Sequence, residues 1–290
     1  MGASTYLVLS DVMPLTCSRT GTCCHGKQVR LNPWELYRLA RTMQMDARSF
    51  RDRYCEFGGI RLRFDGDAGW KGLPACSLYA KGSGCVAHTG RPLACRFYPL
   101  GREIQGEEVR FLFQGTQFPC LEGCPEVKDL PPLSVEEYLA GQGIEPFTVA
   151  QGQYLELMQS IAEGAFNLLL ESGLKASRQM SAIQSWKRMG KEDPETLAGK
   201  IGPKWIYTLM VPEIDVPEDD LGSFFAEHSH ILTDRIQTAF GNLDSQERIQ
   251  EGCTVLMGLA LHLGRGLGAN PESLSKRWIL TAEHALRFPS

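Results

Sequence analysis

No stretch of the chain approaches the ~20 consecutive apolar residues that a bilayer span requires. The longest apolar run, Val255–Leu263, is broken by Gly258 and His262. Nor does the chain open like an exported protein. Met1 to Thr16 has no basic segment and only the short apolar run Tyr6–Leu9, and Tyr6 stands where a myristoylation signal wants Ser or Thr. Charge of one sign is lacking too: 30 Lys+Arg against 34 Asp+Glu leave −4, which gives no global attraction to nucleic acid or anionic lipid. Aromatic residues are not interleaved with basic ones, so no nucleic-acid partner and no membrane association are expected. There is no internal repeat, no C-x₂-C spacing, and after Cys124 only one cysteine, Cys253. These absences predict a soluble, cytoplasmic protein.

What is present divides unevenly. With 290 residues and 43% hydrophobic content the chain can build one large domain or two ordinary ones. Nine of its ten cysteines precede residue 130. Residues 1–135 carry 17 Lys+Arg against 13 Asp+Glu; residues 136–290 carry 13 against 21. A Pro-rich stretch, Pro125–Pro132, precedes Ser134, which reads as the cap of a short helix, and we place the domain boundary there. The expected architecture is α+β: a small, mixed, cysteine-rich metal-binding domain over 1–132, then an all-α domain over 133–290.

The second half carries legible helix signals. Thr148 with Gln151 reads as a capping box, followed by the stripe Tyr154, Leu157, Met158, Ile161, Ala165, Leu168 and Leu169, with Gly173 as the stop. Asp193-Pro194 and Asn270-Pro271 each set an N-cap before a proline. Leu221, Phe224, Phe225, His228, Ile231, Leu232 and Ile236 form another stripe ended by Gly241, and Asp244 opens a further helix. In the first half, Asn32-Pro33-Trp34-Glu35 and Asp46 begin helices. Ile60, Leu62 and Phe64 alternate with arginines as a strand does, and Glu103–Gln105 with Val109–Phe113 read as a hairpin around Gly106.

The cysteine-bearing segments have neither period. They hold Gly21, Gly26, Gly72, Gly82, Gly84, Gly90, Pro92 and Pro119, and little apolar material to fix them. In a reducing compartment clustered thiols there point to metal rather than disulfides. Cys55, at the end of the Phe50–Tyr54 stripe, and Cys253, within a helix, read as core thiols. The remaining eight, Cys17, Cys23, Cys24, Cys76, Cys85, Cys95, Cys120 and Cys124, are the candidate metal ligands. Adjacent Cys23 and Cys24 would point apart if the segment were extended, which suits a larger iron–sulfur cluster, such as 4Fe–4S, better than one tetrahedral zinc. Zinc remains the alternative. Arg19, Arg91, Arg96 and Arg102 lie close enough in sequence to offset thiolate charge. His25 and His88 are candidates for a mixed Cys/His site.

Cys17-x₅-Cys23-Cys24, then Leu31-Asn32-Pro33-Trp34-Glu35, then Cys76, Cys85 and Arg91-Pro92-x₂-Cys95-Arg96-x-Tyr98-Pro99 resemble the YkgJ-type cysteine-cluster (CxxCxxCC) family over residues 15–125. The resemblance implies a bound zinc or iron–sulfur cluster. The family's second cysteine would fall at Thr20, a poor ligand for a soft metal, and Cys124 is the expected replacement. A more distant resemblance, to flagellin lysine N-methylase, implies a cluster-dependent transfer of a methyl or other group to a protein or peptide substrate, with S-adenosylmethionine as cofactor. The residues give that little support. Gly264-Arg265-Gly266-Leu267-Gly268 follows a helical stripe rather than a strand, so it reads as a helix end and not a nucleotide loop. No residue singles itself out as catalytic. A redox or metal-handling protein, or a zinc-pinned interaction module, are the other functional classes the sequence leaves open.

Overall fold

The computed structural model describes residues 5–13, 21–105, 108–113, 132–171 and 173–287. Helices appear where the sequence supplies a cap and an apolar stripe. Among the described residues these are α1 (Pro33–Thr42), α2 (Ala47–Tyr54), α3 (Leu93–Phe97), α4 (Val135–Gly141), α5 (Glu145–Glu171), α6 (Ala176–Met189), α7 (Pro194–Ile201), α8 (Pro203–Met210), α9 (Leu221–Phe240), α10 (Gln246–Gly266) and α11 (Pro271–Arg287). Among the described residues, strands are short and confined to the first half of the chain, and their printed pairings are antiparallel, so the fold is α+β with its cysteine-rich part first.

The caps behave as local chemistry requires. Asn32 Oδ1 accepts from Glu35 N while Glu35 Oε2 accepts from Asn32 N, a reciprocal pair that is fully buried. Ser134 and Glu137 make the same box at the start of α4. Asp46, Asp193, Asp220 and Asn270 each accept from a backbone N–H of the first turn. Two expectations shift. α5 starts at Glu145, one turn before Thr148, whose hydroxyl instead donates back to the Glu145 carbonyl at 2.8 Å. α10 is capped by Ser245, one residue after Asp244. The alternation at Ile60–Phe64 yields only the two-residue strand Arg61–Leu62, with Ile60 and Leu62 buried.

Cα packing separates two units that interleave in sequence. The first is drawn from Met1–Val29, Thr42–Gln44 and Leu62–Val149; the second from Arg30–Arg41, Met45–Arg61 and Ala150–Ser290. In the first, Gly101–Gln105 and Glu108–Phe113 form the expected hairpin, with Thr5–Leu7 added antiparallel along Glu108–Phe113. Two further pairs, Gly66–Ala68 with Pro74–Ala75 and Tyr79–Ala80 with Gly84–Cys85, sit in the cysteine-bearing stretch.

The second unit is built on buried helical faces. From α5 come Tyr154, Met158, Ile161, Ala165 and Leu169; from α9, Phe224, His228 and Leu232; and α10 is buried along most of Val255–Gly264. Cys55 and Cys253 are core thiols, as their surroundings in the sequence imply. Burial pushes the Cys253 thiol up to about 12. Glycines let backbones close in: a Cβ on Gly266 would stand 2.6 Å from the Leu31 carbonyl oxygen. The glycine run 264–268 is therefore the end of a packed helix and a turn, with Gly268 at φ +91.

Candidate metal centre

Four segments of the first unit carry the thiols that can be described. Gly21, at φ +76, starts a one-turn 3₁₀ helix, Thr22–Cys24, that holds Cys23 and Cys24. Only glycine fits there, since a Cβ would come within 2.4 Å of the Tyr79 ring. The backbone then ties this turn to the next cysteine. Cys76 N donates to Cys24 O at 2.7 Å, Gly26 N to Pro74 O at 3.0 Å, and His25 bridges Ala75. Tyr79 N donates to Cys76 O, and Tyr79 is the register partner of Cys85 across a tight hairpin whose Gly82 and Gly84 have positive φ. Cys95 lies in α3, which starts directly after Pro92, a residue that cannot donate and so suits a helix start.

The thiols sense one another. A hydrogen bond with Cys23, then burial, then the charges of Cys23, Cys95 and Cys85 hold the Cys24 thiol far above its ordinary range. Burial pushes Cys76 up to about 11, with Cys85 and Cys23 adding to it. Burial raises Cys85 as well, joined by Cys23 and opposed by the Arg91 cation. Cys95 is raised by burial and by Cys76, Cys23 and Cys85, against the pull of Lys27.

Four thiols held above their ordinary range, with Cys23 bearing on each of them, form a costly arrangement for thiolates alone. It is a favourable one around a soft cation, which displaces the protons and whose attraction to each thiolate outweighs their mutual repulsion. The donor chemistry fits zinc or iron. Among the described residues, no group of three or more His, Cys, Asp or Glu side chains is placed to hold an ion as it stands. Cys17, Cys120 and Cys124, like Arg19 and Thr20, lie outside the described residues.

Several expectations change at this site. Cys23 and Cys24 do not occupy an extended segment with diverging side chains. They share one turn, and their side chains hydrogen-bond, because Gly21 bends the chain immediately before them. The arginines take different parts. Arg91 lays its charge on Cys85 and its Nη1 3.1 Å from both ring nitrogens of His88. Arg96 gives Nε, Nη1 and Nη2 to three backbone carbonyls. Arg102 is half-buried, its guanidinium 5.7 Å from the Phe97 ring centroid. His25 is buried, with no partner for Nδ1 among the described residues, its ring edge-on to Tyr79 and its Nε2 against Gly69.

Lys27 was not singled out from the sequence. Its ammonium sits over the Tyr98 ring and bears on Cys95. The only signal was a basic residue three positions after Cys24.

Residues 16–111 match the family model CxxCxxCC, described as "Putative zinc- or iron-chelating domain". This segment is similar to the CxxCxxCC domain. It takes up about a third of the chain, and its cysteines include all five whose sulfurs are described above. No curated protein and no solved structure matches the chain. The match to a zinc- or iron-chelating domain supports a metal cofactor, zinc or iron. Among the described residues no helix is long and apolar enough to cross a membrane.

Proposed function

We propose that the CxxCxxCC segment binds an iron–sulfur cluster through cysteine thiolates and that the cluster is the working part of the protein, in redox or metal handling. The observation that carries this reading is the number of sulfurs brought into mutual electrostatic reach. Five are described, from four separate segments, enough for the four thiolates that either a zinc site or an iron–sulfur cluster takes. Ligands arriving from four separate segments suit the separate iron corners of a polynuclear centre. Lys27 and Arg91, whose charges each bear on a different thiol, supply compensating charge of the kind a net-negative iron–sulfur–thiolate centre calls for.

Zinc is the second reading, favoured by one feature: Cys23 and Cys24 share a turn and approach closely enough to hydrogen-bond. Group transfer with S-adenosylmethionine gains no support from the glycine run, which is helix and turn.

The test is anaerobic purification of the full chain with iron, acid-labile sulfide and zinc counted per chain. Iron and sulfide in similar amounts, with a broad visible absorption lost on oxidation, are expected. Zinc without sulfide establishes the second reading instead. A chain that takes up neither metal overturns both.

A further inference from the structure

We propose that Gln142, thirty-one residues beyond the matched segment, is a positioning residue for the thiol centre, acting through Arg91 and Arg96. The inference rests on the thiolate–metal reading above.

The stretch between Cys85 and Cys95 passes through Thr89, Gly90 and Pro92 and has no regular structure until α3. Two guanidinium groups hold it. Arg91 donates Nη1 to the His88 carbonyl at 3.1 Å and Nη2 to Gln142 Oε1 at 2.6 Å. Arg96, 8% exposed, donates Nε to Arg91 O at 2.8 Å, Nη2 to Thr89 O at 2.8 Å and Nη1 to Gln142 O at 2.6 Å. Its guanidinium carbon lies 4.1 Å from the Phe147 ring centroid. One residue thus receives an N–H from each of the two arginines that bracket Cys95. A planar, five-donor guanidinium can span three carbonyls in this way, and an ammonium cannot.

Gln142 is itself fixed. It is the C-cap of α4, whose start is locked by the Ser134–Glu137 box and whose Tyr138 hydroxyl donates to the Tyr98 carbonyl. Tyr98 follows Cys95 by three residues, so α4 reaches the Cys95 segment at three points: Arg91, Arg96 and Tyr98. The chelating unit therefore does not end with the CxxCxxCC match. The turn after α4 sets where the Cys85 and Cys95 sulfurs stand. Groups that orient ligands from behind typically set metal affinity by one to two orders of magnitude.

The test uses the full chain reconstituted anaerobically with ferrous iron and sulfide, then challenged with a ferrous chelator. Gln142→Ala, which removes the Arg91 acceptor but keeps the backbone carbonyl, should lose iron about 10–100-fold faster than wild type. Gln142→Glu, which still accepts from Arg91, should stay close to wild type. Gln142 is only half-buried, so the melting temperature of metal-stripped Gln142→Ala should match that of the stripped wild type.

Three outcomes overturn the proposal alone while wild type still loads: Gln142→Ala losing iron at the wild-type rate, Gln142→Glu behaving like Gln142→Ala, or the stripped Gln142→Ala protein melting lower than the stripped wild type. A wild type that takes up no iron and sulfide overturns the iron–sulfur reading and this inference with it.

Discussion

Lowering the pH from 7.5 to 5.0 should cost the second unit a large part of its stability, because two histidines are locked inside it as neutral rings. His228 and His262 are both fully buried. His228 lies between the Tyr154 hydroxyl, 2.8 Å from Nδ1, and the Thr208 carbonyl, 3.1 Å from Nε2. Burial drives its pKa from 6.5 down to about 4. His262 has no hydrogen-bond partner on either nitrogen among the described residues. Burial, with the Arg265 cation nearby, drives it to about 3.

The unfolded chain titrates both near the ordinary value of about 6.5, so between roughly pH 4 and 6.5 it binds more protons than the folded one. Stability contributed by these rings is whole above pH 6.5 and drains away as pH falls. At pH 5 the linkage relation gives a loss of about 2 kcal/mol for each histidine, hence about 4 kcal/mol in all. For a unit of this size that is roughly 8–16 °C in melting temperature. The N-cap carboxylates of Asp46, Asp193 and Asp220 are held below their usual range and act lower, as pH falls through their depressed values.

Tryptophan fluorescence is the readout, since Trp34, Trp186, Trp205 and Trp278 belong to the second unit and only Trp70 to the first. His262→Leu supplies the control. It removes a ring with unpartnered nitrogens, so at pH 7.5 it should melt no lower than wild type, and its pH dependence should be about half as steep. A wild-type melting temperature that is flat or rising from pH 7.5 to 5.0 would refute the reasoning.

Two further perturbations probe the same unit. Tyr154→Phe leaves His228 Nδ1 buried without its donor and should cost about 1–3 kcal/mol in denaturant unfolding; no change in the midpoint counts against the hydrogen bond. Gly266→Ala drives a methyl to within 2.6 Å of the Leu31 carbonyl, a backbone atom that cannot rotate away. It should cost about 1–3 kcal/mol by overpacking, and a variant as stable as wild type counts against that close approach.

Much of the helical framework was legible because its signals are local. A cap joins a side chain to a backbone amide two or three residues away, so Asn32, Asp46, Ser134, Asp193 and Asn270 announce their helices in the order of the letters. Where local chemistry offered two solutions the reading slipped by up to a turn. Thr148 is both a good cap and a side chain able to bond its own preceding turn, and the proline at 146 decides for the earlier start. At Ile60–Phe64 the alternation was real as burial but not as strand length.

The sequence alone determined which chemistry is available: reactive sulfur concentrated ahead of residue 130, two isolated thiols assigned to cores, and a helical second half. The RPLACRFYP and double-cysteine surroundings carried the CxxCxxCC likeness on their own. Tertiary structure decided how that sulfur is arranged. Bringing Cys24 to Cys76 depends on a backbone hydrogen bond between segments far apart in the chain, which no spacing rule encodes. It also decided which charges face sulfur. Lys27 and Arg91 do, while Arg96 turns its donors to carbonyls. A guanidinium goes wherever unmet acceptors outcompete water, and the chain order does not say where those will lie.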